Sequence, residues 1–277
     1  MNLTTIEEVW RPAGVGTDPV EWRAGDSWLA GGTWLFSEPQ PHLRRLLDLN
    51  GFNWEPLEVS AQGLRIAATC TIAALNAFVP PLEWAAAPLI RQCSRALLAS
   101  FKVWNAATVG GNICMSLPAG AMISLATALE GVCTIQLRNG GELRVAIEDF
   151  VVGDHQNVLQ PGDRLRSIDL PISALRKRTS FRQQSLTQLG RSTVLLVGAV
   201  SPEDGAFTLT VSAATVRPFR FAFGQLPDAL ALRATLREAI AGTLYHDDVH
   251  GSPAYRKHLT IHFAEEIRRE LSGAETL

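Results

Sequence analysis

The sequence predicts an α+β protein built from two units, with a boundary near residues 171–178. Before the boundary, short runs of alternating apolar residues end in glycine-rich or Asn-Gly turns, and helical periodicity occurs between them. After the boundary, three alternating runs precede two helical runs, the order expected of a separate α+β unit. The length of 277 residues and the hydrophobic content of 47% allow both units a buried core.

The elements of the first unit follow from periodicity and from the residues that begin or end them. Strands are predicted within 26–36, 42–50, 63–70 and 163–171, and a hairpin around Asn-Gly-Gly within 132–150. Helices are predicted over 71–78, capped by Thr71, over 82–100, where Pro88 begins a new turn, and over 119–131. The last helix is expected to have Pro118 at its first position and to end at Gly131.

The second unit reads as a small antiparallel sheet with helices. Alternation predicts strands at 176–185, 193–201 and 206–215, and apolar periodicity predicts helices at 229–242 and 253–273. No internal repeat or low-complexity segment interrupts either unit.

Charge and composition exclude several classes of partner. The net charge is −2 and no basic tract exceeds the three residues 176–178, so no nucleic-acid partner is expected. The longest apolar run, 194–200, is too short for a membrane span, and the acidic N-terminus does not resemble a signal peptide. The four cysteines lack metal-ligand spacing, which favours buried, reduced thiols and a cytoplasmic location, with no metal site.

Two segments with paired glycines are the strongest candidates for a binding site. They read AGGTW (30–34) and TVGGN (108–112), and each combines consecutive glycines with a hydroxyl or amide side chain. Free backbone N–H groups in such loops bind anions, and two converging loops suit the two phosphates of a dinucleotide. Neither loop matches a Walker A or a G-x-G-x-x-G pattern, and each alone is also compatible with an ordinary tight turn.

Further runs surround these segments in a characteristic order. They are RIAATCTIAAL, LLASFKVWNAATVGGNICMSLPAG, LQPGDRLRSIDLP and GSPAYRKHL. Together with AGGTWL they resemble the FAD-binding medium subunit of the molybdenum hydroxylases, over nearly the whole chain. This family includes the flavoproteins of carbon monoxide dehydrogenase and of bacterial xanthine dehydrogenase-type enzymes.

The resemblance implies a fold and a set of cofactor contacts. It implies a two-part FAD-binding domain of the vanillyl-alcohol oxidase (PCMH) type over 1–171, with parts 1–56 and 57–171. A C-terminal domain with a three-stranded antiparallel sheet and a helix bundle would cover 176–275. The residues implied to bind FAD are Leu29, Ala30, Gly31, Gly32, Thr33, Trp34, Leu35, Thr108, Val109, Gly110, Gly111, Asn112, Leu165 and Arg182.

Three positions depart from the family pattern. Leu117 and Ala121 stand where the family commonly has a serine and an acidic residue that would bond FAD hydroxyls. Trp104 stands where the family has an arginine. A carboxylate introduced at position 121 is therefore expected to raise the affinity for FAD.

Other chemistry-bearing residues do not form a pattern. His258 and His262 have the i, i+4 spacing of metal ligands but lack the glutamate of H-E-x-x-H, and the run at 246–250 reads as a connection. No serine has a nucleophile-elbow setting, and no residue is assigned as catalytic.

The interpretation is an oxidoreductase subunit that binds FAD and transfers electrons. Implied partners are a molybdopterin-binding large subunit and a small subunit with [2Fe–2S] clusters, which would donate electrons to FAD. The external acceptor stays open among oxygen, NAD, a quinone and a carrier protein. The alternative, motivated by Ala121, is a degenerate structural subunit of such a complex with weak or no FAD binding.

Overall fold

The computed structural model describes residues 3–14, 20–188 and 190–273 and shows an α+β architecture, as the sequence predicts. Sheets of three, five and four strands follow one another along the chain, with a small two-stranded sheet between them. The outer limits predicted for the two units, residues 1 and 275, lie outside the described residues.

The first part of the chain forms a small parallel sheet. Its strands, in the spatial order β1-β3-β2, are β1 (Glu8–Trp10), β2 (Asp26–Leu29) and β3 (Arg45–Asp48). Leu46 and Leu47 are buried in the central strand, which ends at a 3₁₀ turn, Leu49–Phe52. The Asp48 side chain caps this turn by accepting the N–H of Asn50. Because β2 ends at Leu29, the first glycine segment follows directly from a sheet edge.

The second part contains a five-stranded antiparallel sheet. Its strands, in the order β4-β5-β10-β6-β7, are β4 (Leu57–Ser60), β5 (Gly63–Ala67), β10 (Arg164–Pro171), β6 (Val132–Gln136) and β7 (Glu142–Ala146). The hairpin β6–β7 is the one predicted around Asn-Gly-Gly. The two-stranded sheet is β8 (Val151–Gly153) with β9 (Gln156–Asn157).

Helices alternate with these strands along the chain. They are α1 (Ile72–Ala77), α2 (Ala87–Ala96), α3 (Phe101–Trp104), α4 (Val109–Cys114), α5 (Ala121–Ala128), α6 (Ile147–Phe150) and α7 (Ile172–Leu175). Of these, α4, α6 and α7 contact the sheet directly. The Thr71 hydroxyl accepts the N–H of Ala74, which confirms the predicted cap of α1, and Pro88 lies in the first turn of α2.

The helix predicted over 119–131 begins later than expected. The α5 helix begins at Ala121 with Gly120 as its N-cap, so Pro118 is not its first residue. Residues 117–120 form a turn in which Gly120 donates to the Leu117 carbonyl, and the Pro118 carbonyl instead accepts the N–H of Ala213. The Pro118 carbonyl thus takes part in a contact with the second unit, which local sequence cannot show.

The C-terminal part contains one more strand than the sequence predicts. Its sheet is a meander of β11 (Arg178–Ser185), β12 (Ser192–Val200), β13 (Phe207–Ser212) and β14 (Phe219–Phe223), flanked by helices α8 (Ala229–Ala239) and α9 (Pro253–Leu271). The fourth strand is short and follows Pro218, and its pairing with β13 places the rings of Phe207 and Phe223 5.9 Å apart. The predicted helix bundle consists of α8 and α9 in the described residues.

Arg256 of the GSPAYR run holds the start of α9 against the sheet. Its guanidinium is 1% exposed and donates to the carbonyl oxygens of Thr193, Ala213 and Gly251 and to the carboxylate of Asp248. Without Arg256, the three carbonyl oxygens would lose a hydrogen-bond donor and the Asp248 carboxylate would lose its charged partner. The side chain therefore has a structural role.

Two hydrophobic cores lie on either side of the predicted boundary. The larger core is built mainly from residues 49–175, and the smaller one from β12, β13, α8 and α9. Leu195, Val197 and Ala213 belong to the larger core, and the hydroxyl groups of Ser124 and Ser212 are 2.6 Å apart. The units thus share an extensive contact, and the division into two domains stays a prediction. None of the described helices combines the length and the hydropathy needed to cross a membrane.

Candidate functional site

The two glycine segments lie against each other. A Cβ atom added to Gly31 would overlap the carbonyl oxygen of Ala106 and lie 2.6 Å from its carbonyl carbon. One added to Gly110 would lie 2.7 Å from both the Cα and the carbonyl oxygen of Ala68. Real Cβ atoms do not approach backbone so closely, so these two glycines allow chain segments to pack in direct contact. The first segment thus packs against the residues that lead into the second, and residues of both segments border one cavity.

The second glycine segment is not a loop, which corrects the sequence-based expectation. Residues 109–114 form α4, and the Thr108 hydroxyl caps it by accepting the N–H of Gly111 at 3.0 Å. The N–H groups of Val109 and Gly110 donate to the carbonyls of Cys70 and Ala68, and that of Asn112 donates to Thr108. Because these donors are engaged, residues 109–112 do not offer free N–H groups for an anion, and in this segment the N–H of Thr108 alone has no acceptor among the described residues.

The first glycine segment does retain the predicted free donors. The backbone N–H groups of residues 31–35 have no acceptor within the described ranges of the chain. Gly32 has φ +68°, a left-handed conformation that suits glycine. This segment therefore leaves main-chain donors without a protein acceptor, as the glycine pattern predicts for an anion-binding loop.

Two adjoining cavities, of about 380 Å³ and 360 Å³, form one cleft beside these segments. The smaller cavity, here the glycine cavity, is bordered by residues 27–35 and by Thr108, Gly111 and Asn112. The larger, here the arginine cavity, is bordered by residues 159–165 and by Gly110 and Gly111. Both share Ser27, Trp28, Ala30, Gly111 and Cys114. A cavity of about 480 Å³ around Arg65, Arg144 and Asp169 has none of these lining residues.

The walls of the cleft contain polar groups that lack a partner. The indole N–H of Trp28 is buried with no hydrogen-bond acceptor in the described structure. Gly111 offers an open surface, since an added Cβ would meet only the Thr108 hydroxyl, at 2.9 Å. Buried polar groups are normally paired, so this donor lacks a partner of the kind that a ligand or an ordered water supplies. The free N–H groups of residues 31–35 suit the diphosphate of a flavin dinucleotide, and the apolar walls suit its ring.

Two ionisable groups of the cleft are held in one protonation state. Burial raises the pKa of the Asp26 carboxyl, but hydrogen bonds from Arg45 and the Arg23 N–H outweigh it and keep the pKa below its usual value. Arg45 binds this carboxylate at 2.6 and 2.9 Å. Burial raises the pKa of the Cys114 thiol to about 12, so at neutral pH this group is a thiol and not a nucleophilic thiolate.

Most of the residues predicted to bind the cofactor border this cleft. Those that do are Leu29, Ala30, Gly31, Gly32, Thr33, Trp34, Leu35, Thr108, Gly110, Gly111, Asn112 and Leu165. Val109 is buried behind Gly110 and borders neither cavity. Arg182 also borders neither, because its guanidinium is bound to Glu266 at 2.8 Å and to Glu270 at 2.7 Å on α9.

The sequence reasoning missed several residues of the cleft. Trp28 precedes the first glycine segment, Cys114 ends α4, and Arg164 precedes Leu165. The signal that was available for Trp28 and Arg164 was their position beside residues already singled out. Their side chains point toward the cleft only because strands β2 and β10 bring them there.

Comparison with known proteins identifies the family. A family model described as the FAD binding domain in molybdopterin dehydrogenase matches residues 21–173, which is more than half of the chain. The chain belongs to this family. The match covers the glycine segments, the cleft and Leu165, and it confirms both the resemblance read from the sequence and FAD as the cofactor.

Solved structures of such enzymes share the fold of the whole chain. Carbon monoxide dehydrogenase from Oligotropha carboxidovorans matches at 20% identity and TM-score 0.81, over 99% of this chain and 100% of that one. The enzyme from Hydrogenophaga pseudoflava matches at 18% identity and TM-score 0.80, over 100% of both chains. Quinoline 2-oxidoreductase from Pseudomonas putida 86 matches at 21% identity and TM-score 0.77, over 99% of both chains. No curated protein matches the sequence.

The position of Ala121 reverses the expected effect of an acidic residue there. Ala121 is 0% exposed, belongs to the larger core and borders neither cavity. The α5 terminus beside it is already capped, since the Asn112 side-chain oxygen accepts the N–H of Met122 at 3.0 Å.

We expect Ala121→Asp to destabilise the chain by about 3 kcal/mol without tightening FAD binding, because it buries a carboxylate with no partner. Thermal unfolding and FAD titration of the variant measure the two effects. Ala121→Ser, which adds one neutral hydroxyl, serves as the control. A tighter FAD complex in the Asp variant would show that this position reaches the cofactor after all.

Proposed function

We propose that this chain is the FAD-carrying electron-transfer subunit of a molybdenum hydroxylase. Electrons would enter from [2Fe–2S] clusters of a small partner subunit, and an external acceptor would receive them. Substrate hydroxylation would take place on a molybdopterin-binding large subunit. The observation that carries this proposal is the cleft between two glycine segments within the region that matches the FAD-binding family.

Different residues of the cleft would bind different parts of FAD. The free N–H groups of residues 31–35 would donate to the diphosphate, and the bare surface of Gly111 would let it approach. Thr108 and Asn112 would orient the neighbouring ribityl and ribose hydroxyls from the same side. The apolar walls, including Trp28 and Leu165, would exclude water from the flavin ring.

Bound FAD supplies the redox chemistry, because a flavin accepts and donates electrons singly or in pairs. The protein sets its position, its electrostatics and its exposure. Cys114 borders both cavities as a neutral thiol, so it does not add a negative charge beside the cofactor. The charged residues that border the arginine cavity are Asp26, which Arg45 neutralises, Asp163 and Arg164.

The related enzymes support the partner assignment. The Hydrogenophaga pseudoflava structure is described as carbon monoxide dehydrogenase that lacks the Mo-pyranopterin moiety of the molybdenum cofactor. The chain described here and the chain of that enzyme match over 100% of the length of each. An equivalent place in a multi-subunit complex is therefore the simplest assignment.

The first test is the identity of the flavin. We expect the purified chain to carry a yellow flavin and to release FAD, and not FMN, on denaturation, because the main-chain donors of residues 31–35 suit a diphosphate. Mass spectrometry of the released cofactor decides between the two nucleotides. Release of FMN alone would contradict the dinucleotide site.

A colourless chain would favour the structural subunit instead. That outcome requires that added FAD also fails to bind the purified protein, with no quenching of flavin fluorescence at micromolar concentrations. Co-purification of the native complex with metal analysis tests the partner subunits, and a complex without molybdenum and iron would contradict their assignment.

A further inference from the structure

Arg164 is a buried cation in the wall of the arginine cavity. Its side chain is 3% exposed, at the start of β10, and it borders the cavity beside Trp28 and Leu165. The guanidinium carbon lies 4.6 Å from the centre of the Phe52 ring and 5.2 Å from the Trp28 ring. Its Nε donates to the amide oxygen of Gln136 at 2.8 Å.

The charge of Arg164 has no anionic partner in the described structure. Neither terminal nitrogen of its guanidinium has a hydrogen-bond acceptor among the described residues, and no carboxylate lies within ion-pair distance. The other arginines with less than a tenth of their surface exposed are paired, Arg45 with Asp26 and Arg256 with Asp248. Arg164 is thus the exception among the deeply buried arginines that the structure describes.

This arrangement leaves a largely buried positive charge without an opposite charge in the free protein. Burial lowers the pKa of Arg164, yet an arginine stays protonated in proteins, so its positive charge remains. The two aromatic rings compensate part of the lost hydration through cation–π contacts, and the Gln136 amide through one hydrogen bond. Two unpaired guanidinium nitrogens remain, facing a cavity that a negatively charged cofactor is suited to enter.

We propose that Arg164 is the counter-charge of the bound cofactor, paired with a negatively charged group of FAD. Two groups of FAD have this chemistry, the diphosphate and the flavin ring in its reduced form. In either case an anionic group of FAD is the charged partner that the Arg164 guanidinium lacks in the free chain. The proposal rests on FAD binding by this chain.

Arg166 offers a matched control two residues away. It is also in β10, its guanidinium carbon lies 4.6 Å from the Trp54 ring, and one of its terminal nitrogens is buried without a partner. Burial lowers its pKa as well. Unlike Arg164, it does not border either cavity of the cleft.

The experiment compares Arg164→Gln, Arg164→Lys and Arg166→Gln in the full chain, freed of flavin and then reloaded. Thermal unfolding is recorded with and without FAD, and binding of oxidised FAD and of riboflavin is titrated by fluorescence. The midpoint potential of the loaded chain is measured by dye equilibration. We expect Arg164→Gln to unfold at the same or a higher temperature without FAD and to gain less stability from FAD than the wild type.

The binding data distinguish the two anionic groups. Pairing with the diphosphate predicts at least about tenfold weaker binding of oxidised FAD by Arg164→Gln, with riboflavin unchanged. Pairing with the reduced ring predicts unchanged binding of oxidised FAD and a midpoint potential lower by about 30 mV for each tenfold loss in reduced-state affinity. Arg164→Lys should restore part of either effect, and Arg166→Gln should show neither.

A purely structural Arg164 would give a different pattern. Arg164→Gln would then unfold at a lower temperature without FAD, while FAD affinity and midpoint potential stayed at wild-type values, and the proposal would be wrong. If the wild-type chain itself binds no FAD, the proposed function fails, and with it the basis of this inference. The wild-type titration therefore separates the two failures.

Discussion

Replacing Gly31 by alanine is expected to lower the free energy of unfolding by about 3 kcal/mol or more. The added Cβ would overlap the backbone carbonyl of Ala106, 2.6 Å from its carbon atom, and neither side can rotate away because both are main chain. The first glycine segment would have to separate from the chain before α4, so FAD binding should be lost as well. Urea denaturation followed by circular dichroism measures the loss of stability.

Gly242→Ala is the control for the change in backbone entropy. No atom lies within 4 Å of a Cβ added there, and Gly242 is exposed, so its stability should change by less than about 0.5 kcal/mol. If the Gly31 and Gly242 variants were equally stable, the backbone at Ala106 would accommodate the added Cβ with no loss of stability. The close contact at Gly31 would then not be what holds the two segments together.

Gly111→Val should abolish FAD binding, raising the Kd at least about 100-fold, while the chain stays folded. The valine side chain would extend into both cavities, because Gly111 borders both and its Cβ position touches only the Thr108 hydroxyl. Disturbing that cap should cost only about 1 kcal/mol, partly offset by the better helix propensity of valine. Gly111 does not have positive φ, so backbone strain makes no contribution.

The neighbouring glycine provides the opposite case. Gly110→Ala places its Cβ against the backbone of Ala68, so it should unfold the chain first and lose FAD only as a consequence. Comparing Tm and Kd for the two variants separates filling of the cleft from loss of the fold. A soluble Gly111→Val protein with wild-type FAD affinity would mean that the cofactor does not approach α4.

The sequence was sufficient for elements that depend on local signals. Thr71 as a cap, the Asn-Gly-Gly hairpin and β10 all follow from residue types within one or two turns of the element itself. The assignment of the two glycine segments to one cofactor site came from the family resemblance, because the residues alone mark each segment only as a candidate anion site.

Long-range contacts decided what the sequence could not show. The N–H groups of Val109 and Gly110 donate to the carbonyls of Cys70 and Ala68, about forty residues away. A segment that reads as a loop is therefore a helix whose first donors are occupied. Arg182 alternates as a strand residue should, but Glu266 and Glu270 on α9 determine where its charge lies. For Arg164 the sequence offered only its position beside Leu165, because its burial depends on rings in two other segments.

The contact of Gly31 with Ala106 has a consequence for the kinetics of cofactor binding. Contacts within the chain hold the walls of the cleft in place. The site is therefore preorganised, and little conformational entropy is lost when the ligand enters. The rate at which the flavin associates should then depend on access to the cleft, and it should vary little among variants that keep these contacts. Differences in affinity should appear mainly as differences in the residence time of the flavin.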